Sequence, residues 1–277
     1  INIYVLSMSF DGFSFYYLRE PVVWFGHRFL YSITKSEYFT LVIFDCLVGI
    51  ILFSSLKKLR ARKYIYFSII IFFPFVLGAQ NIYRQWVASI IFLSAFAHSI
   101  ESEKNSSKTN ILFILSILSH NLTAVFVPLL YITKRRRAGV IFYFSTLCIA
   151  FGGIYFGSLT KFNNDSSGQN LKFYYLILIL FIIVAFLFTD KFVIIKKKII
   201  YYKSTLTLLI LCIVSAFIFP EMGSERISLF SLFVLYPILG LKIEDKFRPK
   251  HFTRIVFVCF GFIPIFLFGT SQFIVKI

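Results

Sequence analysis

The chain has 277 residues, of which 58% are hydrophobic and 38 are phenylalanine, and carries a formal net charge of +17. Apolar runs of about 15 to 23 residues recur along it, which defines a polytopic helical membrane protein. The basic residues sit in short clusters between those runs, so the charge is a topology signal and excludes a soluble nucleic-acid-binding module. Cys46, Cys148, Cys212 and Cys259 each fall inside an apolar run, without the CxxC spacing of metal or redox sites, and read as packing residues.

Residues 1–38 are aromatic but interrupted by Asp11, Arg19, Glu20, Pro21, Arg28, Lys35 and Glu37, too many charges for a lipid-facing span. They read as an interfacial segment. The chain starts at Ile1 without a methionine or signal-peptide pattern, and the expectation is that upstream residues are missing. Membrane helices are predicted at 39–56, 64–79, 86–100, 139–160, 173–189, 199–220, 227–241 and 252–269, eight full spans in one integral membrane domain. Helix is favoured over barrel strand because the runs are continuous and do not alternate, and hydrocarbon demands internal partners for every amide.

The segment from Lys57 to Lys63 carries five basic residues, which the positive-inside rule places in the cytoplasm. The turn containing Arg84 is then outside. A single crossing by 111–132 would expose the basic runs Lys134-Arg135-Arg136-Arg137 and Lys196-Lys197-Lys198 to the wrong side. A re-entrant or broken pair, interrupted at Ser119-His120-Asn121, restores the charge asymmetry in every later loop. Such a break must be buried in protein or line a wet cavity, where membrane enzymes and transporters hold ligands.

Several polar residues stand out against this apolar background. Arg84 has no acidic residue within fifteen positions, so its charge must meet water, a distant carboxylate or an anionic ligand, unless it snorkels to headgroups at the interface. His120 falls at the break beside Asn121 and Thr123, as a proton acceptor, an anion-binding donor or a helix-packing residue. His98 reads as an interfacial or capping residue. The outside loop Pro220-Glu221-Met222-Gly223-Ser224-Glu225-Arg226 brings two carboxylates and an arginine to the side of Arg84, or is an ordinary solvated turn. Asp45, inside the first span, is either neutral, paired with another helix or facing a cavity, with structural pairing favoured. Lys203 and Arg254 lie near cytoplasmic helix ends and can snorkel. The polar loop from Lys161 to Lys172 suits an external lid or a plain connector. No Asp/His cluster has metal-ligand spacing, and no cofactor is implied.

Four stretches taken together resemble a known family: Arg19-Glu20-Pro21-Val22-Val23-Trp24-Phe25 before the first span, Arg84-Gln85-Trp86-Val87-Ala88 opening a later one, His120 followed by Leu122-Thr123-Ala124, and Arg226 opening a late span. This order is similar to the EpsG family of polysaccharide polymerases, grouped with the Wzy O-antigen and capsule polymerases. Asn121 stands where a small residue or proline is expected, and no transmembrane helix precedes Arg19. The resemblance implies glycosyl transfer on the periplasmic face of the bacterial inner membrane, from a glycan on undecaprenyl diphosphate to a lipid-linked repeat unit. It implies flippase and chain-length regulator proteins as partners. Arg84, Gln85 and Arg226 would hold the diphosphate, and His120, Glu20 or Glu225 would take the acceptor proton. The rival readings are a transporter or flippase of lipid-linked oligosaccharide, which also uses broken helices and buried arginines, and a membrane O-acyltransferase centred on His120.

Overall fold

The structure is a computed structural model that describes residues 20–72, 83–101, 107–126, 196–218, 221–246 and 250–267, with a few isolated positions besides. Among these residues every regular element is a helix. In chain order they are α1 (Pro21–Thr34), α2 (Glu37–Lys58), α3 (Lys63–Ile71), α4 (Tyr83–Glu101), α5 (Ser107–Ser119), a 3₁₀ helix (Asn121–Phe126), α6 (Lys196–Ile218), α7 (Glu221–Lys246) and α8 (Lys250–Leu267). The fold class is thus all-helical. α2, 22 residues with a mean hydropathy of 2.3 over its best window, is long and apolar enough to cross a membrane. Much of the spans predicted at 139–160 and 173–189, the loop 161–172, the basic run 134–137 and the turn from Gly78 to Ile82 lie outside the described residues.

The chain divides into two compact units, one formed by residues 1–58 and 83–150, the other by 59–82 and 151–277. In the first unit α1 and α2 make an antiparallel hairpin. Pro21 opens α1, where its missing N–H costs nothing, and Lys35 closes it in a left-handed conformation, φ 52°. The Thr34 and Thr40 hydroxyls, 2.7 Å apart, tie the two helices at the turn. Further along, the helices approach so closely that a Cβ on Gly26 would stand 2.7 Å from the Phe44 ring, which makes glycine necessary there.

α4 is the centre of this unit. From Gln85 to Ile100 nearly every residue is buried, and the run is rich in small side chains, Ala88, Ser89, Ser94, Ala95, Ala97 and Ser99, that let neighbouring helices come near. It runs parallel to α2: Tyr83 near its start bonds Asp45, and His98 near its end receives a hydrogen bond from Lys58 Nζ at 3.3 Å. It runs antiparallel to α5, with the Ser116 hydroxyl on the Ala88 carbonyl at 2.7 Å and the Phe92 and Phe113 rings 6.0 Å apart. Continuing that register sets His120 opposite Arg84.

α5 ends at Ser119, His120 belongs to no helix, and the 3₁₀ turn from Asn121 packs Phe126 back against Phe92, ring centroids 5.8 Å apart. The break predicted at Ser119-His120-Asn121 stands at that place. It lies level with the first turn of α4 rather than half-way along it, because α5 starts almost opposite His98 and needs all 13 residues to climb back.

In the second unit α6, α7 and α8 form an antiparallel series, and α3 packs on α7 and α8. Tyr236 is held between the rings of Phe72 and Phe257, centroids 3.9 and 4.4 Å away, and Tyr64 donates to the Gly240 carbonyl at 2.7 Å. Arg254 lies over the Tyr64 ring at 5.4 Å, a cation–π contact beside the basic start of α8. The polar stretch expected as a loop before Arg226 is helical from Glu221 onward. Hydropathy marks where apolar residues begin, whereas acidic residues such as Glu221 and Glu225 favour the positive end of a helix and extend it. The basic Lys196-Lys197-Lys198 is likewise the first turn of α6.

Candidate functional site

Three of the residues singled out by sequence meet in the first unit. Glu20 precedes α1, Arg84 sits in the first turn of α4, and His120 occupies the break after α5. Arg84 Nη1 donates to Glu20 Oε2, an ion pair closed across 64 positions of chain. His120 Nε2 stands 3.7 Å from Glu20 Oε1. The carboxylate therefore has the arginine on one oxygen and the imidazole facing the other. Of the three fates open to the Arg84 charge, a distant carboxylate is the one observed.

Local structure explains why these side chains are available. Glu20 is at the N-cap of α1, but its side chain makes no capping bond to the helix amides, leaving both oxygens to turn toward α4 and α5. Its side chain is 9% exposed and that of His120 13%, while Arg84 keeps 31%. The guanidinium is thus the accessible member of the group. It also lies over the Trp24 ring, Cζ 5.6 Å from the centroid, one turn into α1 from Glu20.

The hydrogen bonds of His120 define its role. The Leu122 backbone N–H donates to Nδ1 at 3.2 Å, so Nδ1 acts as an acceptor and the ring proton is assigned to Nε2, the atom facing Glu20. In this arrangement the His120 Nε2–H faces the carboxylate at 3.7 Å, outside direct hydrogen-bond reach. Its Nδ1 is occupied, and the atom that faces the site already carries a proton.

The remaining predicted residues are Gln85, Arg226 and Glu225. Gln85, next to Arg84 in the first turn of α4, is fully buried. Arg226 is half-buried in the second turn of α7, in the other unit. Glu225 lies in the same turn. His98 bonds Lys58 at the opposite end of α4, in keeping with its reading as an end residue. Asp45 finds its partner on another helix, the Tyr83 hydroxyl at 2.5 Å. Among the described residues no group of three His, Cys, Asp or Glu side chains could hold a metal ion.

Sequence reasoning gave no role to Trp24, Tyr83 or His27, all within this region. A signal was present for the first: the chain has two tryptophans, and both Trp24 and Trp86 occur within four positions of a predicted site residue.

Comparison with known proteins places the chain in a class of membrane proteins that make polysaccharides. It belongs to the EpsG family, whose model matches residues 2–275, essentially the whole chain, and which is a Wzy-like family of polysaccharide polymerases. No curated protein and no solved structure matches it.

Proposed function

We propose that the protein is a glycosyltransferase of the periplasmic face, polymerising repeat units carried on undecaprenyl diphosphate into O-antigen, capsule or exopolysaccharide. It would work as a bundle of about eight membrane spans with one broken or re-entrant pair, in the bacterial inner membrane. The observation that carries this reading is the meeting of Glu20, Arg84 and His120, drawn from three distant stretches, at a helix break beside an accessible guanidinium.

In the transfer, an acceptor hydroxyl attacks the anomeric carbon of the donor glycan. The bond from that carbon to the phosphate oxygen breaks, and its electron pair leaves with the polyprenyl diphosphate. Arg84 suits the leaving group, because a guanidinium matches phosphate oxygens in pairs and stays charged at any working pH. When a diphosphate takes Arg84, Glu20 gives up that ion pair and its carboxylate can receive the hydroxyl proton of the acceptor. His120 Nε2 faces Glu20 at 3.7 Å at rest and, on closer approach, can donate to Glu20 or to a phosphate oxygen during transfer. Glu20 is thus the base we favour over His120 and Glu225. Arg226 stands as a second diphosphate contact on the strength of the resemblance alone.

Reconstitution of the protein in vesicles with a lipid-linked repeat unit tests this reading. Glycan that lengthens without an acyl donor supports the polymerase. Movement of the lipid-linked unit across the bilayer without bond formation would make the protein a flippase, and transfer of an acyl group an O-acyltransferase.

A further inference from the structure

Beside the Glu20–Arg84 pair runs a second chain of polar contacts that the proposed chemistry does not use. Tyr83, the residue before Arg84, donates its hydroxyl to Asp45 Oδ1 on α2 at 2.5 Å. The same hydroxyl stands 3.5 Å from His27 Nε2 on α1. The His27 ring is seated 4.2 Å from Phe44 and 5.7 Å from Tyr83. Three helices, α1, α2 and α4, are joined through one phenol.

α4 is thereby tied to α1 and its N-cap through two successive residues, Arg84 with Glu20 and the Trp24 ring, and Tyr83 with His27. One attachment leaves a helix free to rotate about it. Two attachments on successive residues of α4 fix the rotation of its first turn, and with it the direction in which Arg84 projects. The cost of the arrangement points to a use. Asp45 lies eight residues into α2, about 12 Å from its start, in a helix whose Val42, Ile43, Leu47 and Ile50 are exposed apolar side chains. A carboxylate at that depth of an apolar span is expensive, and packing alone would be served by an aliphatic residue.

We propose that the His27–Tyr83–Asp45 chain is a positioning device that holds the first turn of α4 in the rotation at which Arg84 meets Glu20 and the diphosphate. Tyr83 and Asp45 act through Arg84 and do not touch the reacting atoms. The inference rests on the polymerase reading above.

The test is steady-state kinetics of the full chain in vesicles, with a polyprenyl-diphosphate-linked repeat unit as donor and rates normalised to folded protein. Tyr83→Phe and Asp45→Leu each cut the chain and are expected to lower kcat about 10- to 100-fold, the scale of a displaced catalytic group, with a smaller change in KM. The double variant should be no worse than Tyr83→Phe alone, because the tyrosine substitution already removes the bond that Asp45→Leu removes. Asp45→Asn keeps an acceptor oxygen for the Tyr83 hydroxyl and should keep kcat within about threefold of the parent. Equal losses in Asp45→Asn and Asp45→Leu would show that the charge or the proton of Asp45 is what matters, and would overturn the proposal. Unchanged kcat in Tyr83→Phe, or additive losses in the double variant, would overturn it as well. If Tyr83→Phe does not fold, the contrast between the two Asp45 variants decides alone. A parent protein that makes no polymer removes the polymerase reading and this inference with it, whereas an active parent with an indifferent Tyr83→Phe removes only the positioning role.

Discussion

Glu20 and Arg84 form an ion pair in which the carboxylate is almost fully enclosed and the guanidinium is about one third exposed. The asymmetry has a chemical meaning. An anion arriving from outside reaches the arginine first, and competes for it with a carboxylate that is already partly desolvated. In the proposed function the pair is the resting state that an anionic substrate would open.

Arg84→Lys is expected to lose at least about tenfold in kcat although the charge is kept. A lysine is a point charge, and it reproduces neither paired bonds to a diphosphate nor the flat contact over Trp24. Turnover at saturating donor checks this, and a lysine variant as fast as the parent would remove bidentate recognition from the account.

His120 separates two roles through its replacements. If it serves as a donor from Nε2, His120→Gln, whose amide still offers N–H groups, should retain more activity than His120→Ala, by about three- to tenfold. If the imidazole were the base, both variants would be equally inactive. Initial rates of the two purified proteins decide between these outcomes.

Gly26→Val forces a side chain into the Phe44 ring, where even a Cβ would stand at 2.7 Å. The hairpin of α1 and α2 must open, at a cost of about 1–3 kcal/mol typical of overpacking. A lowered unfolding midpoint in detergent, together with reduced polymerisation because Glu20 precedes the same helix, is the expected result. An unchanged midpoint would show that the close approach is not required.

The two ends of the first unit should face opposite compartments. Lys58 and His98 mark one end of the parallel helices α2 and α4, and Arg84 and His120 the other. In a background without Cys46, Cys148, Cys212 and Cys259, a cysteine at the exposed Asn121 should react with a membrane-impermeant reagent added outside intact cells. A cysteine at Lys57 should be protected, and the reverse pattern would invert the topology.

Much of this site was legible before the structure, and the reasons are physical. The break at His120 could be read because Ser-His-Asn interrupts an apolar run and the charges of later loops demand an interruption there. That the Arg84 charge had to meet water, a distant carboxylate, an anionic ligand or headgroups was also legible, since a lone cation in an apolar setting needs one of these. Which of them it meets, and which carboxylate, was not, because Glu20 is distant in sequence and local periodicity says nothing about a pairing across three helices. Tyr83 and His27 were invisible for another reason: in a chain with 20% aromatic residues, one more ring beside a helix start carries no signal. The helical start of α7 was missed because hydropathy reports the apolar stretch and not the polar turns that prolong it.

The central claim is that a diphosphate displaces Glu20 from Arg84 and frees it to act as base. Binding of undecaprenyl diphosphate to the purified protein and to Glu20→Gln, measured beside turnover in the same preparations, tests it most directly. With the competing carboxylate neutralised, the variant should bind the diphosphate more tightly, by about tenfold or 1.4 kcal/mol, while making no polymer. Binding that is unchanged or weaker in Glu20→Gln, or polymerisation that survives the substitution, would contradict the account.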